Sequence, residues 1–253
     1  MNSAENPLIL SYHSVSDGSS PLKTPPALFR EQMAWLAGNA RVIPLGEIAE
    51  RLEAGQPLPE RSVALTFDDA FRDFYVHAAP VLSQLGFAAT VFVPTSFCGK
   101  TNGWPGQPGW VDEQPLMDWV QISELARQGI RFGSHGVTHP DLTRMLPEEV
   151  ERELRDSRSE IESRTGSPAM HFCYPYGRWN PAVQHVVRQH YRAACTTSAR
   201  TLTAAADRFA LPRVDAHYLR QPARFRSLFS RSFVVYLGAR RLIRRLRGAP
   251  EGS

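Results

Sequence analysis

The stretch Val63-Ala64-Leu65-Thr66-Phe67-Asp68-Asp69 combines a short apolar run with two adjacent carboxylates. Apolar runs of this length are typical of buried β-strands, and the two aspartates then stand just past the end of the strand. After them, apolar residues recur at helical spacing over residues 74–85, and Gly86 is placed to end that helix. A strand followed directly by a helix is the repeating unit of a parallel sheet.

The same unit recurs along the chain. Further strands are predicted at residues 8–15, 41–45, 87–93, 130–133, 170–174 and 192–197, with helical patterns between them. Repeated units of this kind imply a parallel sheet covered by helices, either doubly wound or closed into a barrel. In both folds the functional site lies at the carboxyl ends of the strands.

A second polar cluster, Ser134-His135-Gly136-Val137-Thr138-His139, directly follows one of these predicted strands. Asp69, His135 and His139 would offer one carboxylate and two imidazoles. This ligand set suits Zn²⁺ or a neighbouring divalent ion and leaves coordination positions open for water and substrate. Asp68 would then lie beside the metal and be free to accept a proton. The pattern predicts a metal-dependent hydrolase.

Length and composition agree with one enzyme domain. A chain of 253 residues with 42% hydrophobic content can bury a large core, and one α/β barrel needs about this many residues. We expect no leader, because residues 1–10 lack a basic start and a cleavage site, and no run approaches the roughly 20 apolar residues of a membrane span. Cys98, Cys173 and Cys195 form no metal-type pair and no disulfide framework, so we expect a reducing, cytoplasmic location.

The net charge of +4 is unevenly distributed. From residue 216 onward there are nine arginines and a single acid, Glu251, so this part carries about +8 and residues 1–215 about −4. Apolar residues alternate with the arginines over residues 225–247, which is the make-up of an interfacial amphipathic helix.

We therefore divide the chain into a catalytic domain, residues 1–222, and an arginine-rich amphipathic tail, residues 223–253. We expect the tail to contact an anionic membrane, at the inner face if the protein is cytoplasmic. The acidic body disfavours nucleic acid as a partner. The alternative interpretation is that the apolar residues of the tail pack on the body.

The two polar clusters resemble the first two motifs of the polysaccharide deacetylases, the NodB-homology family (carbohydrate esterase family 4), which read T-F-D-D and H-[ST]-x-x-H. A third match is Phe172-Cys173-Tyr174-Pro175-Tyr176-Gly177, against a family pattern of F-R-x-P-Y-G. The resemblance covers roughly residues 8–215. It implies a distorted, incomplete (β/α) barrel and the removal of N-acetyl groups from amino sugars in a glycan or glycolipid precursor.

The resemblance also implies roles for single residues. Asp69, His135 and His139 would bind the metal, zinc first and cobalt, nickel or manganese as alternatives. Asp68 would be the general base, and the backbone N–H of Tyr176 would stabilise the oxyanion.

The sequence departs from the common family pattern at the general acid. Relatives often carry this acid as a histidine in a late L-x-H motif, but the chain has Leu211-Pro212-Arg213 there. The start of the chain, Ser11-Tyr12-His13, resembles the branch of biofilm-exopolysaccharide deacetylases, in which an early histidine is the acid. We therefore assign His13 to this role.

Two further departures concern the surroundings of the site. Cys173 occupies the position of the arginine that orients the base in relatives, and Arg213 is the candidate to supply that charge instead. Gly136 occupies a position where Ser or Thr is common, and Ser134 or Thr138 is expected to compensate.

Each assignment has a structural alternative. Adjacent aspartates also cap helices, His13 can be a core histidine, and Arg213 can belong to an ordinary ion pair. The tryptophans Trp104, Trp110 and Trp119 can stack on sugars or pack on the rim. For the whole protein, the alternatives are a catalytically silent carbohydrate-binding relative, or an adaptor that acts through the basic tail at a membrane or nucleic acid.

Overall fold

The protein is described by a computed structural model that covers residues 6–246, with side chains to residue 243. Eight parallel strands form one sheet. They are β1 (Leu8–Tyr12), β2 (Arg41–Val42), β3 (Ser62–Phe67), β4 (Ala89–Val93), β5 (Arg131–Ser134), β6 (His171–Cys173), β7 (Ala193–Cys195) and β8 (Val214–Asp215).

Eight α-helices accompany the strands between residues 6 and 246. They are α1 (Pro26–Asn39), α2 (Leu45–Glu53), α3 (Ala79–Leu85), α4 (Trp119–Arg127), α5 (Pro147–Thr165), α6 (Pro181–His190), α7 (Pro222–Phe225) and α8 (Arg231–Leu246). A π-helix, Phe74–Ala78, leads directly into α3, which ends at Gly86 in the left-handed conformation. Helix α6 begins after Asn180, whose side chain accepts a hydrogen bond from the Val183 N–H.

The strands follow the order β7-β6-β5-β4-β3-β1-β8, with β2 beside the start of β3. The sheet closes through residues 211–215. On one side, the Leu211 N–H donates to the Ala194 carbonyl (2.8 Å) and the Thr196 N–H donates to the Leu211 carbonyl (2.9 Å). On the other side, Val214 pairs with Leu10 in β1. The sheet is therefore a distorted (β/α) barrel, as the sequence resemblance implied.

The central strands are buried on both faces, because helices cover the outside and side chains fill the inside. Every residue of β1 and β3 is buried, which explains why these strands read as continuous apolar runs rather than as alternating ones.

An aromatic cluster holds the ends of β1 and β3 in place. The rings of Tyr12 and Phe67 stack at 5.3 Å, and Phe29 and Phe74 meet them edge-on. The Tyr12 hydroxyl also donates a hydrogen bond of 2.9 Å to Gln32 on α1. His13 and Asp68, the residues that follow these two rings, therefore project from a rigid base.

The apolar residues of the tail divide between the core and the surface. Phe225, Phe233 and Leu237 are buried in the main core, and Trp35 of α1 packs edge-on against Phe225. Phe233 and Leu237 are therefore covered by protein, as the alternative interpretation of the tail expected, and they do not face outward as membrane contact would require. Arg247 and the residues after it lie outside the described residues. No helix within residues 6–246 is both long and apolar enough to cross a bilayer.

One close approach in the sheet gives a stability test. A Cβ added to Gly133 in β5 would lie 2.7 Å from the His171 carbonyl oxygen of β6 and 2.7 Å from the Phe92 ring. We expect Gly133→Ala to lower the free energy of unfolding by about 1–3 kcal/mol in urea titrations, because the strands must separate to admit the methyl group.

Gly38→Ala is the matched control, since Gly38 lies in α1 and a Cβ there meets nothing within 4 Å. It should raise the free energy of unfolding by about 0.4–1 kcal/mol. Equal stability of the two variants would contradict the close packing of β5 against β6.

Candidate active site

A cleft of about 400 Å³ lies at the carboxyl ends of the strands. Every candidate residue from the sequence lines it: His13, Asp68, Asp69, His135, His139, Tyr176 and Arg213. The fold therefore brings residues from these separate motifs together in one cleft.

Three side chains converge as the ligand set that the sequence predicted. The Asp69 Oδ1 atom lies 3.5 Å from His135 Nε2 and 3.4 Å from His139 Nε2. Ligands about 2.0–2.2 Å from a tetrahedral zinc ion are separated by roughly 3.4 Å, so these spacings fit. Asp69 Oδ1 is buried and has no hydrogen-bond partner within residues 6–246. An orphaned buried carboxylate oxygen between two imidazoles fits a divalent cation.

The protonation state of His135 also fits metal binding. Its Nδ1–H donates to the Cys173 carbonyl at 2.7 Å, which leaves the Nε2 lone pair directed at Asp69. Burial, together with the neighbouring His139, lowers the pKa of His135 to about 4. The ring is therefore neutral near pH 7, as a metal ligand must be.

The loop that carries His139 is held by a residue that the sequence analysis missed. The buried Glu153 of α5 accepts hydrogen bonds from the Val137 N–H (2.6 Å), the Thr138 N–H (3.0 Å) and the Thr138 hydroxyl (2.7 Å). A Cβ on Gly136 would lie 2.9 Å from a Glu153 carboxylate oxygen, and Gly136 has a φ of 83°.

Gly136 is therefore required by this carboxylate and by its own backbone conformation. Ser134 takes part as expected, because its hydroxyl accepts from the Gly136 N–H at 3.0 Å. Thr138 takes part through Glu153. Nothing in the charged pattern of α5 distinguishes Glu153 from its exposed neighbours, except that it falls on the inward face.

Asp68 forms a buried two-pronged ion pair with Arg213. Both Nη atoms of the guanidinium lie 2.7 Å from the two carboxylate oxygens. The Arg213 side chain also donates to the Thr196 carbonyl and to the Thr66 hydroxyl. Burial raises the pKa of Asp68, but the charge and hydrogen bonds of Arg213 more than offset this and hold the pKa well below its usual range.

Cys173 leaves room for this guanidinium. Its sulfur lies 3.0 Å from Arg213 Nη2, and burial raises the pKa of the thiol well above its ordinary value. A second group, Asp68, His135 and Cys173, also lies within reach of a single cation. We assign the cation to Asp69, His135 and His139 instead, because Arg213 occupies Asp68 and Cys173 and because a thiol must lose its proton to bind metal.

His13 lies between two carboxylates. Its Nε2 is 3.8 Å from Asp68, and its Nδ1 is 3.9 Å from Asp215. Asp215 is the second residue that the sequence analysis missed. Asp215 stands in β8, two residues after Arg213. Its closeness in sequence to Arg213 was the one feature that could have marked it as a site residue. Arg213 itself lies just before β8.

Left-handed backbone conformations concentrate at this site. Asp69, Ala70, His139 and Tyr176 have φ values of 68°, 57°, 57° and 58°. This conformation is unfavourable for residues with a Cβ and persists where the surrounding structure holds it. Here it turns two metal-ligand candidates and the Tyr176 backbone toward one cleft.

The tryptophans take different places. Trp104 is buried and packs on the His139 ring with a centroid distance of 4.2 Å, so it supports a ligand candidate. Trp110 lies on the cleft and is 59% exposed, which leaves its face accessible to a sugar. Trp119 begins α4 under the Arg164 guanidinium and does not line the cleft.

Comparison with known proteins identifies the family of this chain. The sequence profile of the family described as Polysaccharide deacetylase matches residues 55–194. YxkH of Bacillus subtilis, which carries the family's name, is 29% identical over 208 residues, or 81% of this chain and 70% of that protein. The poly-β-1,6-N-acetyl-D-glucosamine N-deacetylase of Escherichia coli K12 is 30% identical over 140 residues. That match covers 50% of this chain but only 20% of the Escherichia coli enzyme.

A solved structure gives the same result. The deacetylase PplD of Streptococcus pyogenes, in complex with acetate, aligns with a TM-score of 0.72 and 26% identity over 83% of this chain and 92% of that chain. The barrel and the family expected from the motifs are confirmed, and the chain belongs to the polysaccharide deacetylase family.

Proposed function

We propose that this protein hydrolyses N-acetyl groups from amino sugars of a polysaccharide or a lipid-linked glycan precursor, with zinc as its cation. One observation carries the proposal: two adjacent aspartates have different partners. Asp69 faces two histidines and Asp68 faces an arginine. An ionised carboxylate beside a metal site is the arrangement that a general base in metal-assisted hydrolysis requires.

Asp69, His135 and His139 would hold the cation. A carboxylate oxygen and two imidazoles favour zinc, with cobalt, nickel and manganese as the alternatives. Bound there, a divalent ion supplies Lewis acidity, which makes water more acidic and polarises an amide carbonyl.

Asp68 is proposed as the general base. It lies next to Asp69 in the chain and, because of Arg213, remains a carboxylate through the neutral range. A low pKa makes a carboxylate a weak base. Asp68 would therefore accept a proton only from water that a bound cation has made more acidic. Arg213 holds both oxygens in place and so acts as a positioning residue.

His13 is proposed as the acid that protonates the departing amine. It lines the cleft and lies near Asp68, and Asp215 can hold its Nδ1 so that Nε2 faces the reaction. The backbone N–H of Tyr176 is proposed to stabilise the oxyanion, supported by the left-handed turn at the cleft wall.

The substrate proposal rests on relatives and on the cleft. The name of the Escherichia coli relative states that it acts on an N-acetylglucosamine polymer, and Trp110 offers an exposed aromatic face at the cleft. We also propose a cytoplasmic location, supported by three cysteines that are all free thiols. The division at residue 222 stays a prediction.

The first test removes the ligands. We expect Asp69→Ala, His135→Ala and His139→Ala each to lose zinc and to stop acetate release from chitooligosaccharides, because a site with three protein ligands depends on each of them. Zinc content by plasma mass spectrometry and acetate release are the two measurements.

His185→Ala, an exposed histidine of α6, is the control and should retain zinc and activity. Full zinc occupancy in His139→Ala would overturn the ligand assignment. Zinc binding without acetate release in the unmodified protein would instead favour the silent carbohydrate-binding alternative.

The second test concerns the pH dependence of the base. In Arg213→Gln the guanidinium is gone but burial remains, so the pKa of Asp68 should rise above the ordinary value of an aspartate, about 4. The carboxylate is then lost at higher pH, and the acidic limb of the kcat/KM profile should move upward.

Arg188→Gln on α6 removes a surface ion pair with Asp207 and should leave that limb in place. An unchanged acidic limb in Arg213→Gln would exclude Asp68 as the titrating base.

The third test separates acid from base. His13→Ala should slow amide hydrolysis by roughly 100-fold or more. The same variant should spare an aryl acetate, because a phenolate leaves without a proton. His217→Ala is the control, since His217 lies near Asp215 but does not line the cleft. Equal damage to amide and ester hydrolysis would show that His13 is not the acid.

A further inference from the structure

The outer face of α8 carries a row of uncovered apolar side chains. Val235, Leu242 and Ile243 are 71%, 58% and 48% exposed, while Phe233 and Leu237 on the opposite face are buried in the core. Val235 and Leu242 are two helical turns apart, so they share one face. Single exposed apolar residues are ordinary, but a row on one helix face indicates a partner.

Arginines without acidic partners flank this row. Among the side chains that the structure describes, which end at residue 243, Arg231 and Arg241 form no ion pair and no hydrogen bond. Arg224 and Arg240, by contrast, lie over the rings of Tyr236 and Tyr218 at 4.0 Å and 3.9 Å. Arg226 pairs with Glu31 of α1, but residues 216–253 contain a single acid and so cannot neutralise their nine arginines themselves.

The helix also adjoins the active-site cleft. Tyr218 lines the cleft, and Arg240 of α8 covers its ring. Helix α8 is therefore joined to the rim of the cleft through its inner face, opposite the exposed row.

We propose that the outer face of α8 docks on an anionic lipid surface, with Val235, Leu242 and Ile243 inserted among the lipids and the flanking arginines at the phosphates. An apolar row between cations fits the boundary between acyl chains and headgroups. Nucleic acid would leave the apolar row in water. A second copy of this chain would bring unneutralised arginines against each other.

Docking would hold the protein at the surface on which a lipid-linked amino sugar is presented. This consequence rests on the proposed function, whereas the lipid binding itself does not. A failure of one is therefore distinguishable from a failure of the other.

Cosedimentation of the full chain with phosphatidylglycerol vesicles tests the proposal. The full chain should pellet at low salt and should not pellet with pure phosphatidylcholine. The double variant Val235→Asp/Leu242→Asp should bind at least about tenfold more weakly. The matched control is Val120→Asp/Leu146→Asp, which adds the same two charges at exposed apolar positions outside α8.

A second variant separates charge from insertion and leaves the apolar row intact. Arg231→Gln/Arg241→Gln should lose roughly 10- to 30-fold in affinity and should show a weaker salt dependence. Circular dichroism melting should show that each variant is folded.

Three results would overturn the proposal: no binding of the full chain to phosphatidylglycerol, equal binding by the α8 double variant and its control, or equal binding to both lipids. Light scattering gives a fourth such result. If the full chain is a dimer and the α8 double variant is a monomer, this face is a contact between two copies of the chain and not a lipid-binding face.

Discussion

The buried ion pair between Asp68 and Arg213 is the interaction on which the site depends. Two adjacent aspartates at one strand end would repel each other and compete for one cation. The guanidinium removes this competition by occupying both oxygens of Asp68, which leaves the unpartnered Asp69 Oδ1 as the oxygen between His135 and His139. Removing one partner of such a buried pair typically costs about 3–5 kcal/mol, because the other charge is left without compensation.

Barrel closure and site chemistry share one short segment. Residues 211–215 pair with β7 through Leu211 and with β1 through Val214, and between these contacts Arg213 points to Asp68. Asp215, the last residue of the segment, reaches His13 at the end of β1. The same backbone hydrogen bonds that close the sheet therefore set the positions of the proposed base and acid. Cys173 fits this arrangement because its thiol occupies far less space than the family's arginine.

The local parts of the site were predictable, and the parts that depend on distant packing were not. The positions of Asp68, Asp69, His135 and His139 follow from apolar runs that end in polar residues, which is a pattern within a few residues. The contacts of Glu153 and Asp215 join elements that are brought together only in the fold, so the spacing of residues in the sequence does not predict them. The tail shows the same limit. Its alternation of apolar and basic residues predicts an amphipathic helix, but only the fold shows that the side with Phe233 and Leu237 faces the core.

The central claim is that Asp69, and not Asp68, binds the cation. Diffraction from zinc-soaked crystals, measured at the zinc absorption edge, tests it directly because the anomalous peak locates the ion. The account predicts a single peak between Asp69 Oδ1, His135 Nε2 and His139 Nε2, with Asp68 still bound to Arg213. A peak coordinated by Asp68, His135 and Cys173, which also lie within reach of one ion, would contradict it.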